Sequence, residues 1–351
     1  MASRSPNPGR TRRSGVCSLE ALAPVRADLA GGTLDLWPLY CLHPASVTVN
    51  VALRRGVRIR LTSGAAPAGR IVYAAPGRPP ATLDRADAGS HLAAAVGFHL
   101  VPEGGLRVEV LEQPPVGSGL GASSAFAVAL ARACLALTGR RLDSARLVAT
   151  LRDLEARVLG VPTGTQDYIP ALGGGVAAIH LEPGGERIER LAVDPPWIER
   201  RLVVLFSGVT HASGMVNWEV YRARLDGDAR SARALDAIAA AASACRESLL
   251  AGDEAAVGRA VAAEWKARRT LAPSVTNPPL DAILAAGVAA GALAGKACGA
   301  GGGGSVLFWT PSELRTAVAT AALEAAPPGA HEVTGGVARR GVAVRARRAT
   351  M

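Results

Sequence analysis

Apolar residues in the first third of the chain recur in the short pattern typical of β-strands. Residues 46–53 and 57–61 have strand character on either side of a turn, and residues 106–111 form a third run of this kind. Between these runs, residues 65–80 are loop-like and residues 89–98 are helix-like. The pattern therefore predicts a strand-rich beginning with one helix.

Two longer segments with helical spacing come next in the chain. Residues 123–137 are apolar on nearly all sides, which predicts a helix buried at the centre of the protein. A second helix is predicted over 143–159, because Asp143 can cap its beginning and Gly160 ends it. Further strands are predicted over 175–181 and 188–193.

The second half is rich in alanine and in helical spacing. A strand over 201–207 opens it, just after the Pro195-Pro196 pair. Long helices are predicted at about 228–250, 253–270 and 279–296. Strands are predicted at 305–309 and 341–346. Together these elements indicate an α+β fold.

A chain of 351 residues is long enough for two domains. The pattern predicts a disordered basic tail over 1–18, a first domain over 19–196 and a second domain over 197–351. The five cysteines have no spacing that suggests zinc or a disulfide framework, which favours a reducing, cytoplasmic compartment. The longest apolar run, 282–294, is too short for a bilayer, which needs about 20 residues. No membrane association is expected.

The net charge of +10 comes almost wholly from arginine, since Lys266 and Lys296 are the only lysines. Aromatic residues make up only 4%, and no basic run is interleaved with them as a base-stacking surface requires. The composition therefore argues against nucleic-acid binding. Part of the charge lies in the terminal tails, and the rest suits ATP and a phosphorylated substrate.

The strongest chemical signal is the glycine-rich turn at 114–125, which leads directly into the buried helix. Its three alternate glycines remove the side chains that would keep a phosphate from the backbone, and a helix N-terminus follows. Ser123 and Ser124 add hydroxyls that can cap the helix, contact phosphate or ligate a cation. The alternative is a turn that only caps the helix.

Four segments, at 24–35, 114–125, 164–168 and 296–304, resemble in that order the signature segments of the GHMP kinases, the galactokinase, homoserine kinase, mevalonate kinase and phosphomevalonate kinase superfamily. The opening segment is most similar to heptose-phosphate kinases and fucokinase-type sugar kinases. The resemblance implies a ribosomal protein S5 domain 2-like N-terminal domain, a ferredoxin-like C-terminal domain and an active site between them. It implies ATP binding by Pro115, Gly117, Ser118, Gly119, Leu120, Gly121, Ala122, Ser123 and Ser124.

The resemblance also implies that Mg²⁺ is ligated by Ser123 and Glu155. On the predicted helix, Glu155 shares a face with apolar residues, which is unusual for a carboxylate. From the local sequence alone, a surface ion pair with Arg152 is the alternative. One carboxylate and one hydroxyl, completed by waters and phosphate oxygens, suit the octahedral preference of Mg²⁺.

By resemblance, Asp167 is the catalytic aspartate that accepts the proton of the substrate hydroxyl, and Arg26 holds it ionised. The alternatives from local sequence are a turn aspartate and an exposed loop arginine. Asp35 corresponds to the residue that binds sugar hydroxyls in galactokinase-like enzymes, whereas the Gly32-Thr33 pair before it departs from galactokinase. Expected substrate contacts are Asp28, Gly32, Thr33, Asp35, Gln166, Gly301 and Gly302.

The sequence thus predicts an ATP- and Mg²⁺-dependent kinase acting on a hydroxyl of a sugar or sugar phosphate. Two alternatives stay open, namely a GHMP-fold ligand sensor without catalysis and an enzyme of the diphosphomevalonate decarboxylase type. The glycines at 299–304 could equally form a flexible connection between a helix and a strand. His211 is a further candidate substrate contact, and a homodimer is left open.

Overall fold

The computed structural model describes residues 17–210 and 213–347. Two predictions fall on other residues: most of the basic tail, at 1–16, and His211. Within the described part, the strands form one eight-stranded and one four-stranded sheet. No helix in this part is long and apolar enough to cross a membrane.

The strands divide between the two sheets by their position in the chain. Those of the first sheet are β1 (Ser18–Ala30), β2 (Val47–Ala68), β3 (Ile71–Ala74), β4 (Ala81–Leu83), β5 (Gly104–Glu112), β6 (Val176–Glu182), β7 (Gly185–Arg190) and β12 (Ala343–Arg347). Those of the second sheet are β8 (Leu202–Phe206), β9 (Ala294–Ala297), β10 (Ser305–Trp309) and β11 (His331–Glu332).

The first sheet has the order β12-β1-β2-β5-β3-β4, with β6 also paired to β2 and β7 to β6. Its described pairs are antiparallel apart from β3 with β5, which is parallel. The second sheet has the order β11-β8-β10-β9 and is antiparallel. Both sheets therefore fit the α+β class that the sequence indicates.

The helices of the first half are α1 (Leu39–Leu42), α2 (Leu92–Leu100), α3 (Ala122–Thr138), α4 (Ser144–Leu159), α5 (Tyr168–Gly173) and α6 (Pro195–Glu199). Those of the second half are α7 (Ser213–Leu225), α8 (Ala229–Ala251), α9 (Glu254–Arg268), α10 (Pro278–Ala289) and α11 (Arg315–Glu324). Short 3₁₀ turns lie at Ala86–Gly89, Pro273–Val275 and Ser312–Leu314.

The two helices predicted after the glycine-rich turn are confirmed. Helix α3 has buried side chains on all of its faces, and it packs against both β1 and β2. Helix α4 begins where Asp143 accepts a hydrogen bond from the Arg146 N–H, and it ends at Gly160 in the left-handed region. These two helices set the positions of Ser123 and Glu155.

The predicted turn between residues 53 and 57 is wrong, because β2 runs through it as one strand of 22 residues. Its register against β1 shifts between Pro24 and Val25, so the irregularity is a bulge. A Cβ on Gly56 would lie 2.3 Å from the Ala23 carbonyl oxygen, so glycine permits this close approach. The prediction of a loop at 65–80 is also wrong in part, because this segment contains the end of β2 and all of β3.

The helix predicted over 279–296 is too long. Helix α10 ends at Ala289, Gly291 follows with φ +103°, and residues 294–297 form β9. The glycines at 299–304 therefore connect two strands, not a helix and a strand. The pattern also missed β1, α7 and α11.

The chain returns to the first sheet at its far end, where β12 pairs with β1 from Ser18↔Arg347 to Leu22↔Ala343. The segment predicted as a second domain, 197–351, therefore includes one strand of the first sheet. Strand β1 links this sheet to the candidate site, because its second half carries Arg26 and Asp28 and leads into the segment 31–35.

Candidate active site

The glycine-rich turn has the geometry of an anion site. Gly117, Gly119 and Gly121 all have positive φ, between 71° and 74°, which favours glycine at each position. Gly121 precedes α3, and no side chain caps the first N–H groups of this helix. Those N–H groups and the positive end of the helix dipole are suited to phosphate.

The turn at 114–125, called the phosphate loop here after its predicted role, directly contacts the second glycine-rich loop, at 299–304. A Cβ on Gly119 would lie 2.7 Å from the Cys298 carbonyl oxygen, and one on Gly299 would lie 3.0 Å from the Gly119 carbonyl oxygen. The Ser305 N–H donates to the Ser118 carbonyl at 2.8 Å. Gly119 and Gly299 therefore let the backbones of the two loops pack against each other where the two sheets meet.

Gly301 and Gly302 have contacts of a different kind. The Gly302 N–H donates to the Val275 carbonyl at 2.6 Å, and the Asn277 amide donates to the Gly302 carbonyl at 3.0 Å. A Cβ on Gly301 would lie 2.3 Å from the same Val275 oxygen. These contacts anchor the loop, and a role of either glycine in substrate binding stays a prediction.

Arg26 and Asp167, which are 141 residues apart in sequence, form a close pair. Arg26 Nε donates to Asp167 Oδ1 at 2.8 Å, and its Nη2 lies 2.7 Å from the same oxygen. Arg26 Nη1 donates to the Gly119 carbonyl at 2.6 Å, which ties the pair to the phosphate loop. Arg26 is buried in β1, so the alternative of an exposed loop arginine is wrong.

Neighbouring carboxylates keep Arg26 charged, which stabilises its ion pair with Asp167. Burial alone would lower the pKa of Arg26, but the carboxylates of Asp167 and Asp28 outweigh burial and raise it. The Asp167 side chain is 24% exposed, whereas the Arg26 side chain is only 4% exposed. A Cβ on Gly121 would lie 3.0 Å from the Asp167 carboxylate, so this glycine also lets the aspartate approach the phosphate loop.

Glu155 is held by hydroxyl groups. Ser123 Oγ donates to Glu155 Oε1 at 2.6 Å, and Ser124 Oγ donates to Oε2 at 3.3 Å. The Tyr168 hydroxyl also donates to Oε2. Burial raises the pKa of Glu155, and these hydroxyls lower it only in part. Tyr168 is a site residue that the sequence pattern did not identify.

The alternative ion pair of Glu155 with Arg152 is not formed. Arg152 binds Asp153 at 2.8 Å on the exposed side of α4, whereas Glu155 faces the phosphate loop. Ser123 and Glu155 are adjacent, and their binding of Mg²⁺ stays a prediction. In the described ranges, no group of three or more His, Cys, Asp or Glu side chains forms a metal site. A carboxylate and a hydroxyl with phosphate oxygens and waters nonetheless fit Mg²⁺, which keeps several waters in proteins.

Asp35 lies against the 164–168 segment, which also carries Asp167. Its Oδ2 accepts a hydrogen bond from the Gln166 backbone N–H at 2.9 Å. Burial raises the pKa of Asp35 to about 6, and the nearby Asp167 carboxylate adds to this rise. Within the described residues, Gln166 Oε1 is buried without a hydrogen-bond partner, as is Ser118 Oγ in the phosphate loop.

Gly32 and Thr33 are held from the second half of the chain. Arg268 Nη2 donates to the Gly32 carbonyl at 2.7 Å, and its Nη1 donates to Thr33 Oγ1 at 3.1 Å. Thr33 Oγ1 in turn donates to Asn217 Oδ1 at 3.3 Å. A Cβ on Gly32 would lie 3.2 Å from Gln166 Nε2, so Gly32 packs against the segment that carries Asp167.

Asp28 does not fit the predicted role of a substrate contact, because its side chain has no exposed surface. Its carboxylate accepts from Lys296 Nζ at 3.1 Å and from the Gly299 N–H at 2.9 Å. Burial would raise its pKa, but Lys296 and Arg26 lower it overall. Asp28 therefore joins the two sheets. Leu120 is also fully buried, and its carbonyl accepts from the Arg26 N–H at 3.0 Å.

The chain is similar to known proteins in sequence and in fold. The family model for the GHMP kinases N terminal domain matches residues 86–175, and the model for the GHMP kinases C terminal matches residues 241–328. A D-glycero-alpha-D-manno-heptose 7-phosphate kinase of Campylobacter jejuni is 28% identical over 203 residues, 56% of this chain and 58% of the relative. A mevalonate kinase of Thermococcus gammatolerans is 29% identical over 225 residues, 62% of this chain and 64% of the relative.

This chain therefore matches less than two thirds of the length of either relative. Among solved structures, a D-glycero-D-manno-heptose 1-phosphate kinase from Bacteriodes thetaiotaomicron superposes with a TM-score of 0.70 at 19% identity, covering 93% of this chain and 98% of that one. The similarity extends over both sheets and both family models. The chain belongs to the GHMP kinase family and has its two-domain fold.

Proposed function

We propose that the protein is an ATP- and Mg²⁺-dependent kinase that transfers the γ-phosphate to a hydroxyl of a sugar or sugar phosphate. A heptose-phosphate kinase is among its relatives and another is among its structural neighbours, which supports a phosphorylated sugar as acceptor. We also propose a cytoplasmic location, which its unpaired cysteines suit. A homodimer and the absence of nucleic-acid and membrane partners stay predictions.

The observation that carries the proposal is the placement of two different carboxylates beside one phosphate loop. Asp167 is paired with Arg26 at 2.8 Å and lies against Gly121, whereas Glu155 is bound to Ser123 at 2.6 Å. One carboxylate is thus available as a base, and the other as a cation ligand. A protein that only bound the nucleotide would need no base at this point.

In this mechanism, the oxygen of the acceptor hydroxyl attacks the γ-phosphorus and passes its proton to Asp167. The bond from the γ-phosphorus to the β–γ bridging oxygen breaks, and ADP leaves. Arg26 keeps Asp167 oriented, and its buried charge favours the negative charge that develops nearby. The free N–H groups of α3 hold the phosphates in line, and positioning of this kind supplies most of the catalysis in phosphoryl transfer. Mg²⁺, when bound by Glu155 and Ser123, neutralises phosphate charge.

Asp35 and Gln166 are suited to bind the acceptor. A carboxyl group with two oxygens can bind two adjacent hydroxyls, and Asp35 uses only Oδ2 to accept from the Gln166 N–H. The unpartnered Gln166 Oε1 adds a buried acceptor atom in the same segment of the described chain. This arrangement favours a polyhydroxylated substrate over an apolar one.

The test is a coupled ADP-release assay with free and phosphorylated hexoses and heptoses, and with mevalonate as the competing acceptor. We expect turnover with at least one sugar or sugar phosphate, at a rate well above ADP release without acceptor. Turnover with mevalonate alone would contradict the proposed acceptor class. ATP binding without turnover of any acceptor would favour the sensor alternative.

A further inference from the structure

Charged side chains continue inward from the catalytic pair. Arg26 binds Asp167, which is partly exposed, and its Nη1 lies 3.7 Å from the fully buried Asp28 Oδ1. Asp28 Oδ2 then accepts from Lys296 Nζ at 3.1 Å. Lys296 lies on β9 of the second sheet, so this contact crosses from one domain to the other.

The Lys296 ammonium group also contacts a carboxylate of the second domain. Through this carboxylate the network reaches residues 31–35, which we call the acceptor segment. Lys296 Nζ lies 3.1 Å from Glu264 Oε2 on α9. Glu264 Oε1 accepts from Arg268 Nε at 2.9 Å and from its Nη2 at 2.6 Å. Arg268 also donates to the Gly32 carbonyl and to Thr33 Oγ1. The path thus ends at the segment that precedes Asp35.

Three features set this network apart from surface ion pairs. Its charges alternate in sign and balance, with three anions and three cations. All members except Asp167 are buried, with side chains no more than 4% exposed. Its partners come from distant parts of the sequence, up to 268 residues apart. The members are Asp167, Arg26, Asp28, Lys296, Glu264 and Arg268.

Buried ion pairs add little net stability compared with well-packed apolar side chains, because each charge loses its hydration. What they provide is fixed geometry, since every displacement separates opposite charges in a medium of low dielectric constant. The network joins the catalytic pair and the segment 31–35, which belong to the first domain, through two elements of the second.

We propose that Lys296 is a positioning residue that couples the Arg26–Asp167 pair to the acceptor segment 31–35. It is the member that contacts carboxylates of both domains, Asp28 in the first and Glu264 in the second. This inference rests on the proposed kinase activity for its kinetic consequences, but not for its structural ones. It assigns the second domain a part in setting the geometry of both the base and the acceptor.

The sharpest test is the double variant Asp28→Asn/Lys296→Met. It removes one charge of each sign, so Arg26–Asp167 and Glu264–Arg268 both keep their partners. Asn keeps an oxygen that can accept from the Gly299 N–H, so the contact with the phosphate loop is preserved. The matched control is Lys266→Met, because Lys266 is the other lysine of the chain and is exposed on α9.

We expect kcat of the double variant to fall by about 10²-fold, since a displacement of about 1 Å is enough for this loss. The KM for the acceptor should rise, whereas the KM for ATP should stay within about twofold. Lys266→Met should leave all three constants unchanged. Wild-type kcat and acceptor KM in a folded double variant would overturn the proposal.

A second measurement needs no substrate. The Leu34 and Leu36 N–H groups donate to the carbonyls of Gly31 and Thr33, which closes the acceptor segment. We expect faster amide hydrogen exchange at Leu34 and Leu36 in the double variant, with exchange in α4 unchanged. Unchanged exchange at both leucines overturns the coupling. If the wild type turns over no acceptor, the proposed function fails, and the exchange result still decides the role of Lys296.

Discussion

Glu155 and Asp28 are both buried carboxylates near the phosphate loop, yet their surroundings are opposite. Glu155 lies in a hydroxyl-lined region, bound by Ser123, Ser124 and Tyr168. Asp28 lies in a cation-lined region, next to Lys296 and Arg26. Burial raises the pKa of Glu155, whereas the cations around Asp28 overcome burial and lower its pKa.

The difference favours Glu155 over Asp28 as the carboxylate that binds a cation. Asp28 has its compensating cations within the fold, so it needs nothing from outside. Glu155 has only neutral donors among its direct contacts, so its ionised form is favoured when a cation arrives. The hydroxyl-lined region is therefore the part of the site that suits Mg²⁺, and the cation-lined region is a fixed support.

Asp167 lies between these regions, because it pairs with Arg26 and also raises the pKa of Glu155. Asp167→Asn should have the largest effect, since loss of a general base costs about 10²–10⁴-fold in rate. Steady-state kinetics should show this loss, with ATP affinity by calorimetry little changed. The control is Asp153→Asn, on the exposed side of α4. Near wild-type turnover of Asp167→Asn would exclude it as the base.

Asp28→Asn tests the cation-lined region. Removing one partner of a buried ion pair typically costs about 3–5 kcal/mol, because the remaining charges lose compensation. The pKa of Asp28 is lowered in the fold, so its contribution is present at neutral pH and is lost as pH falls through the lowered pKa. In urea unfolding, the free energy of unfolding of Asp28→Asn should be well below that of the wild type at pH 7. The difference should be smaller at acid pH. A deficit below about 1 kcal/mol at pH 7 would contradict this role.

Asp35 extends the comparison, because it is buried with a backbone N–H as its partner. Its pKa rises from 3.8 to about 6, so the wild type should lose stability as pH rises from about 4 to 6. The rise corresponds to at most about 3 kcal/mol. Asp35→Asn should lack this loss, which unfolding at pH 4.5 and pH 7.5 can measure. Parallel pH dependence of the two proteins would show that Asp35 is not responsible.

Glu155→Gln should have the smallest effect, and one opposite in sign to Asp28→Asn. Without Mg²⁺, the variant should be at least as stable as the wild type at pH 8, because a neutral amide is easier to bury. The Mg²⁺ concentration needed for half-maximal turnover should rise about 10-fold, or about 1.4 kcal/mol. Magnesium titrations of activity and of melting temperature check both points. A wild-type magnesium dependence would remove Glu155 from the metal site.

Local features of the site could be predicted from the sequence. Helix spacing placed Glu155 on a buried face of α4, and Asp143 and Gly160 marked the ends of that helix. The phosphate loop could be recognised because its glycines and the helix after it are contiguous. The pairing of Arg26 with Asp167 came from the family resemblance, and the 2.8 Å contact agrees with it.

The cation-lined region could not be predicted in this way. Asp28 and Lys296 are 268 residues apart, and no periodicity or turn signal reports a contact at that separation. Lys296 had two weak signals, as one of two lysines in an arginine-rich chain and as the first residue of the 296–304 segment. Tyr168 was not predicted as a site residue, because a tyrosine at the start of a short helix usually packs in the core.

The return of β12 to the first sheet has a consequence for how the protein is made. Ser18 pairs with Arg347, so the sheet stays incomplete during synthesis until the whole second sheet has left the ribosome. Until then β1 is an edge strand, and its unpaired N–H and C=O groups can join another chain. The edge exposed in this way is the 18–22 end of β1, so a chain that ends before Ala343 leaves these residues without their partner strand.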